Sequence, residues 1–217
     1  MKILIPRLGS AVALLGGLVS CQAPDGLAFP AHEAQGAWSF HLPAMTELDW
    51  NRKETDGTSE TSFNAEATAS GFGFQYEKFM GNGLSYYGAI DSRDYSVQHA
   101  DVPGHGDGWE YRLGSRMRFG ENHQGWRQFF LGGHTLFGSG LTRIVSDSET
   151  GESTSSYWGL GVECGANWFI SPMVSFETVL MYEYHLGETS YITANSATER
   201  EEGLNGLTAQ IGFAVYY

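Results

Sequence analysis

Residues 157–170 read YWGLGVECGANWFI, and this stretch decides the fold. Trp158, Leu160, Val162, Cys164, Ala166, Trp168 and Ile170 alternate with Tyr157, Gly159, Gly161, Glu163, Gly165, Asn167 and Phe169. A helix would scatter these two sets around its axis, whereas a strand sends them to opposite faces. One face is therefore apolar along its whole length, and the other combines glycine with a carboxylate.

The same period runs through most of the chain. Residues 37–50 set Trp38, Phe40, Leu42, Ala44, Leu48 and Trp50 against Ser39, His41, Glu47 and Asp49. Around 109–119, Trp109, Tyr111, Leu113, Met117 and Phe119 oppose Glu110, Arg112, Gly114, Arg116 and Arg118. Residues 174–186 oppose Val174, Phe176, Leu180, Tyr182 and Tyr184 to Ser175, Glu177, Glu183 and His185. The closing QIGFAVYY, 210–217, puts Ile211, Phe213, Val215 and Tyr217 on one face. A further strand is expected at 126–144, and a loosely alternating one at 84–97. In the strand expected at 62–79, Asn64, Glu66, Thr68 and Ser70 share a parity with Phe72, Phe74 and Tyr76, so a bulge near Gly71 is expected to separate them.

Between these eight segments, short links (MGNG, GENHQG, ISP) alternate with longer polar ones (NRKETDGTSE, HADVPGHGDG, SDSETGESTS, ETSYITANSATEREE). That rhythm predicts an all-β protein, an eight-stranded antiparallel up-and-down transmembrane β-barrel over 36–217, with tight turns at one end and long loops at the other. An even strand number brings both termini to the short-turn end.

Composition agrees with one such domain. The chain has 217 residues, with 29 glycines against six prolines, a balance that favours turns and strands over helices. Its formal charge is −13, with no basic patch, which makes nucleic acid a poor partner. MKILIPRLGS followed by AVALLGGLVSC has a basic start, a short apolar run and small residues, the layout of an export signal over 1–20. The polar residues 21–35 are expected to form a periplasmic tether. Cys164 is then the second of two thiols, and no disulfide framework is implied.

Period two leaves open whether the apolar face points into a cavity or out into lipid. Trp38, Trp50, Trp109, Trp126, Trp158 and Trp168 lie near strand ends, where interfacial aromatic girdles sit. Trp158 and Trp168 are separated along the bilayer normal by roughly 25 Å at ordinary strand rise and tilt, the height of an apolar band. The apolar face is therefore read as facing lipid.

The last strand carries a resemblance. Gln210-x-Gly212-x-x-Val215-x-Tyr217 resembles the β-signal of bacterial outer-membrane proteins, and with the architecture it makes the chain similar to the small eight-stranded barrels of the outer-membrane protein A and X type. The resemblance implies the bacterial outer membrane, contact with its lipid and lipopolysaccharide, recognition by the barrel assembly machinery, and a monomer. Leu18-Val19-Ser20-Cys21 resembles a lipobox, which implies acylation of Cys21 and departs from typical members; removal of Cys21 with the leader is the alternative.

The inner face then holds the chemistry. Glu47, Glu66, Arg93, Glu110, Arg112, Arg116, Arg118, Glu163, Glu177, Glu183 and His185 are the candidates for a lumen charge network. In a narrow lumen unpaired charges are costly, and arginine, nine of the twelve basic residues, suits bidentate pairing. The expected outcome is a salt-bridged, closed, non-enzymatic barrel with a structural or loop-mediated role and no cofactor. A narrow ion or proton path is the alternative for the lumen. A lipid-modifying enzyme would need a nucleophile, base and orienting acid together; His134 with Thr135 and His185 with Glu183 are the nearest substitutes. His99, Asp101, His105 and Asp107 lack an established metal-ligand spacing, and no metal is expected. Gly36-Ala37-Trp38 matches the Gly-x-Trp that opens lipocalins, so a lipid-anchored binder of apolar ligands stays open as a rival.

Overall fold

The computed structural model describes residues 34–56, 59–81, 83–99, 102–119, 127–145, 150–193 and 196–217. Within them the strands are β1 (Gly36–Asp56), β2 (Ser59–Gly81), β3 (Leu84–His99), β4 (Val102–Phe119), β5 (Arg127–Val145), β6 (Thr150–Ser171), β7 (Val174–Thr193) and β8 (Ser196–Tyr216). Each pairs antiparallel with its neighbour in sequence, and β1 pairs with β8 to close an eight-stranded barrel. Closure removes every exposed strand edge, so each strand's backbone groups have partners on both sides. Next to Tyr217, Gln35 N–H donates to its carbonyl at 2.8 Å, which puts both described ends at the short-turn side.

The faces are inverted relative to a water-soluble protein. Phe40, Phe74, Tyr111, Leu113, Leu160, Val162, Tyr182 and Phe213 are exposed, while Glu77, Asp91, Arg93, Glu110, Arg112, Arg116, Glu163 and Glu183 are buried. An apolar belt of this kind is stable where the outer solvent is hydrocarbon, with the polar groups satisfied inside.

Two expectations need correction. Most of the connections read as long loops are strand: β1 runs to Asp56 before β2 starts at Ser59, and β7 runs to Thr193 before β8 starts at Ser196. The strands have 16 to 23 residues, or about 40 to 58 Å at ordinary rise and tilt, against an apolar band of about 25 Å. The hairpins therefore rise well past the belt at one end. Their Thr, Tyr and Ile content favours strand, and ladder bonding on both sides carries it where no apolar face exists.

The bulge is also elsewhere. β2 pairs with β3 without a shift from Glu66↔Gln98 to Phe79↔Ser85, through Gly71↔Arg93. The irregularity lies in β1, between Pro43 and Met45 against β8 and between His41 and Leu48 against β2. Proline has no N–H to give the ladder, so an inserted residue is tolerated beside it. Glu66 thus keeps the register parity of the outward Phe72 and Phe74. Beyond the bulge Glu47 pairs with Leu207, on the parity of Ile211 and Phe213, whereas Trp50 pairs with Leu204 on the opposite parity. Glu47 and Trp50 are therefore not where unbroken alternation puts them, whereas Glu66 is, and the three side chains lie outside the described residues.

The short-turn end is sealed from within. Ala37, Phe169, Ala214 and Tyr216 form a buried apolar cluster, with Phe79 packed against it. The Tyr216 ring is stacked on Phe79 at 5.9 Å and tilted against Phe169 at 5.1 Å. The turn into β3 uses Gly83 at φ 77°, a left-handed conformation that glycine adopts without strain, and the Gly83 carbonyl accepts from Arg118 N–H at 2.7 Å.

Candidate functional site: the lumen charge networks

β4 is the spine of the interior. Period two aims Glu110, Arg112, Arg116 and Arg118 inward, and all four are buried. Opposite strands answer with carboxylates, which gather into two networks stacked along the barrel axis.

The lower network, above the apolar seal, centres on Arg116. Its Nε and Nη2 donate to the two Glu163 oxygens on β6, each at 3.0 Å, a bidentate fork. Nη1 lies 3.4 Å from Glu77 on β2 and 3.4 Å from Glu177 on β7, and Nη2 donates to Gln75 at 3.3 Å. The guanidinium is also 4.3 Å from the Phe130 ring centroid and 4.6 Å from that of Tyr87, distances at which a cation is attracted to the π face. Arg118 pairs with Glu77 at 2.6 Å, and Ser85 Oγ donates to the same carboxylate. One arginine from β4 thus reaches across the lumen to β2, β6 and β7.

Phe130, Val179 and Met181 form an apolar cluster inside the barrel. The upper network includes Arg112, whose Nε donates to Asp91 at 2.8 Å and whose Nη1 donates to Met181 Sδ at 2.7 Å. His41 Nε2 is 2.5 Å from Asp91 and 3.1 Å from Arg112. Arg93 pairs with Glu110 at 2.6 Å, and Glu183 is held by His134 at 3.1 Å and by Thr208 at 3.5 Å. Room for these side chains comes from small residues alongside: a Cβ at Gly73 would collide with the Asp91 carboxylate and the His41 ring.

Of the eleven residues assigned to the lumen, Arg93, Glu110, Arg112, Arg116, Arg118, Glu163, Glu177, Glu183 and His185 are brought together, and the side chains of Glu47 and Glu66 lie outside the described residues. Sequence reasoning missed Glu77, Asp91 and His41 as network members and weighed His134 only as a catalytic residue. Parity was the available signal: Asp91 stands two residues before Arg93, and Glu77 two after Gln75. His134 and Thr135 do not face each other, since His134 is buried in the lumen while the Thr135 hydroxyl donates outside it to the Leu113 carbonyl at 3.4 Å. β4 begins at Val102, so His105 and Asp107 belong to a strand rather than a loop.

The girdle is partly as expected from position. Trp38, Trp109 and Trp158 are 59%, 48% and 50% exposed on the outer face, but Trp168 is only 8% exposed. Its indole N–H donates to the Thr178 hydroxyl at 3.3 Å. Trp126 lies outside the described residues, as do Cys21 and the leader. In the last strand Gln210 and Gly212 point inward, Val215 and Tyr217 outward, and the Tyr217 hydroxyl lies 2.8 Å from that of Tyr76.

No protein-family model and no curated protein matches the chain. Among solved structures it is similar to the outer membrane protein OprG from Pseudomonas aeruginosa, with TM-score 0.60 and 11% identity, covering 85% of this chain and 97% of that one. It is also similar to the translocator domain of the autotransporter NalP from Neisseria meningitidis, with TM-score 0.50 and 9% identity, covering 97% and 98%. By fold the chain is an eight-stranded barrel of the bacterial outer-membrane type.

Proposed function

We propose that this protein is a closed, non-enzymatic barrel of the outer membrane, monomeric, whose tall hairpins provide structure and contact at the cell surface. The observation that carries the reading is Arg116, which joins β4 to carboxylates on β2, β6 and β7 in one network. A hydrated ion following the axis would have to break several buried ion pairs and then pass the apolar seal, each step costing several kcal/mol. Purified protein in planar bilayers should give little or no current, and a large, stable single-channel conductance would overturn the proposal.

The partners belong to the same reading. The outward belt would be solvated by lipid and lipopolysaccharide, and the terminal Gln210, Gly212, Val215 and Tyr217 would be read by the barrel assembly machinery during insertion. Acylation of Cys21 would add an anchor at the short-turn side. Labelled palmitate should enter the wild type and not Cys21→Ala; equal labelling of both would exclude it.

A further inference from the structure

The outer wall carries opposite charges at its two ends. Past the belt on the hairpin side, Asp94, Asp107 and Glu188 are exposed on the outward parity of β3, β4 and β7. At the short-turn end the charged side chains on that parity are Lys78 of β2 and Arg127 of β5, and no carboxylate side chain faces outward there among the described residues. In a protein of formal charge −13 this basic rim is a local exception. Arg127 lies over the Phe129 ring, 5.8 Å from its centroid. Lys78 is exposed and makes no ion pair among the described residues.

Tyrosines surround Lys78 on this face. Tyr86 of β3 is directly opposite it in register, and Tyr76 precedes it by two residues on the same face of β2. On the other side Lys78 is opposite Gly36 of β1. A Cβ at Gly36 would lie 2.8 Å from the Tyr217 hydroxyl, so the bare glycine lets the Tyr217 ring lean across β1 towards β2. Its hydroxyl there lies 2.8 Å from that of Tyr76, whose ring is packed on Trp38 with centroids 4.7 Å apart. Whichever hydroxyl donates to the other, one O–H proton of the pair is left to donate outward. An ammonium and a neutral donor thus stand together on the rim, just outside an aromatic pair, at the level where interfacial rings meet lipid headgroups. We propose that Lys78 and the Tyr76–Tyr217 hydroxyl pair bind the phosphate of an anionic phospholipid in the leaflet at the short-turn end. The phosphodiester oxygens take a charge-assisted bond from the ammonium and a second bond from the hydroxyl, while the acyl chains lie along the outward belt. The inference rests on the outer-membrane reading for that leaflet, and not on the closed lumen.

Native mass spectrometry of the folded barrel in detergent, titrated with phosphatidylglycerol or phosphatidylcholine, tests this independently of any conductance. The wild type should retain one phosphatidylglycerol in preference to phosphatidylcholine. Lys78→Gln should weaken that binding about fivefold, the contribution of one cation at an anionic lipid surface, and Lys78→Arg should keep it near the wild-type level. Tyr76→Phe combined with Tyr217→Phe keeps both rings and removes both hydroxyls, and should also weaken binding about fivefold; either substitution alone leaves one donor and should cost less. Heat-shifted migration on gels verifies that each variant is folded. Equal retention of the two lipids by the wild type, or unchanged phosphatidylglycerol binding in Lys78→Gln, would overturn the proposal. Displacement of the lipid by equimolar inorganic phosphate would overturn the lipid assignment and identify a site for the free ion.

Discussion

Arg116 illustrates what a narrow lumen demands of a cation. Removed from water, its guanidinium is compensated by a bidentate bond to Glu163, by Glu77 and Glu177, and by two aromatic faces. Lysine offers a compact point charge and cannot reproduce the planar fork. Arg116→Ala would leave the Glu163 carboxylate buried without that fork, and should destabilise the barrel by about 3 to 5 kcal/mol. Urea unfolding in lipid vesicles measures this, and an unmoved midpoint would mean that the network contributes nothing to stability. Arg116→Lys should fall between the two. At this scale the sequence was legible wherever inward charges stood on strongly alternating strands, as on β4. It was less so for Asp91, Glu77 and His41, because β2 and β3 line the lumen with Tyr87, Ala89 and glycine as well as with charge, which dilutes the contrast between faces.

Strand number and order were readable, since eight alternating segments with links of alternating length admit a simple meander. Strand length was not. Hydrophobic alternation ends where the belt ends, but the ladder continues, because a paired backbone needs no apolar side chains to satisfy its hydrogen bonds. The bulge shows a different limit. At Gly71 polar residues give way to aromatic ones, yet Pro43 is the residue with a chemical reason to interrupt a ladder. The ladder instead runs through Gly71 without a shift, and Ser70 before it is exposed. Trp168 is a further limit: its position near a strand end was plain, but its burial and its indole hydrogen bond to Thr178 were not readable from that position.

For the whole molecule, the belt and the terminal strand make different contributions, one to stability in lipid and one to arrival there. Val162 is 63% exposed, in register between Gly133 and Tyr182 on the outer wall. A charge there must enter hydrocarbon, so Val162→Lys should cost about 2 to 4 kcal/mol if the site lies near the midplane. Tyr217 stands at the rim, where its hydroxyl meets Tyr76 and its backbone exchanges bonds with Gln35 and Gly36. Removing it takes away a modest interfacial anchor, while Ile211, Phe213 and Val215 keep the rest of the outward face. If the terminal residues are read during assembly, deleting Tyr217 should lower the amount of folded protein in the outer membrane and leave unassembled or degraded chains. The fraction that inserts should unfold in urea at a nearly normal midpoint. Val162→Lys should show the opposite balance, with the folded fraction unfolding at a clearly lower urea concentration. Protease shaving of intact cells and heat-shifted migration on gels measure the folded amount. Normal surface levels for the Tyr217 deletion would separate the terminal motif from assembly, and an unchanged midpoint for Val162→Lys would remove that face from the lipid.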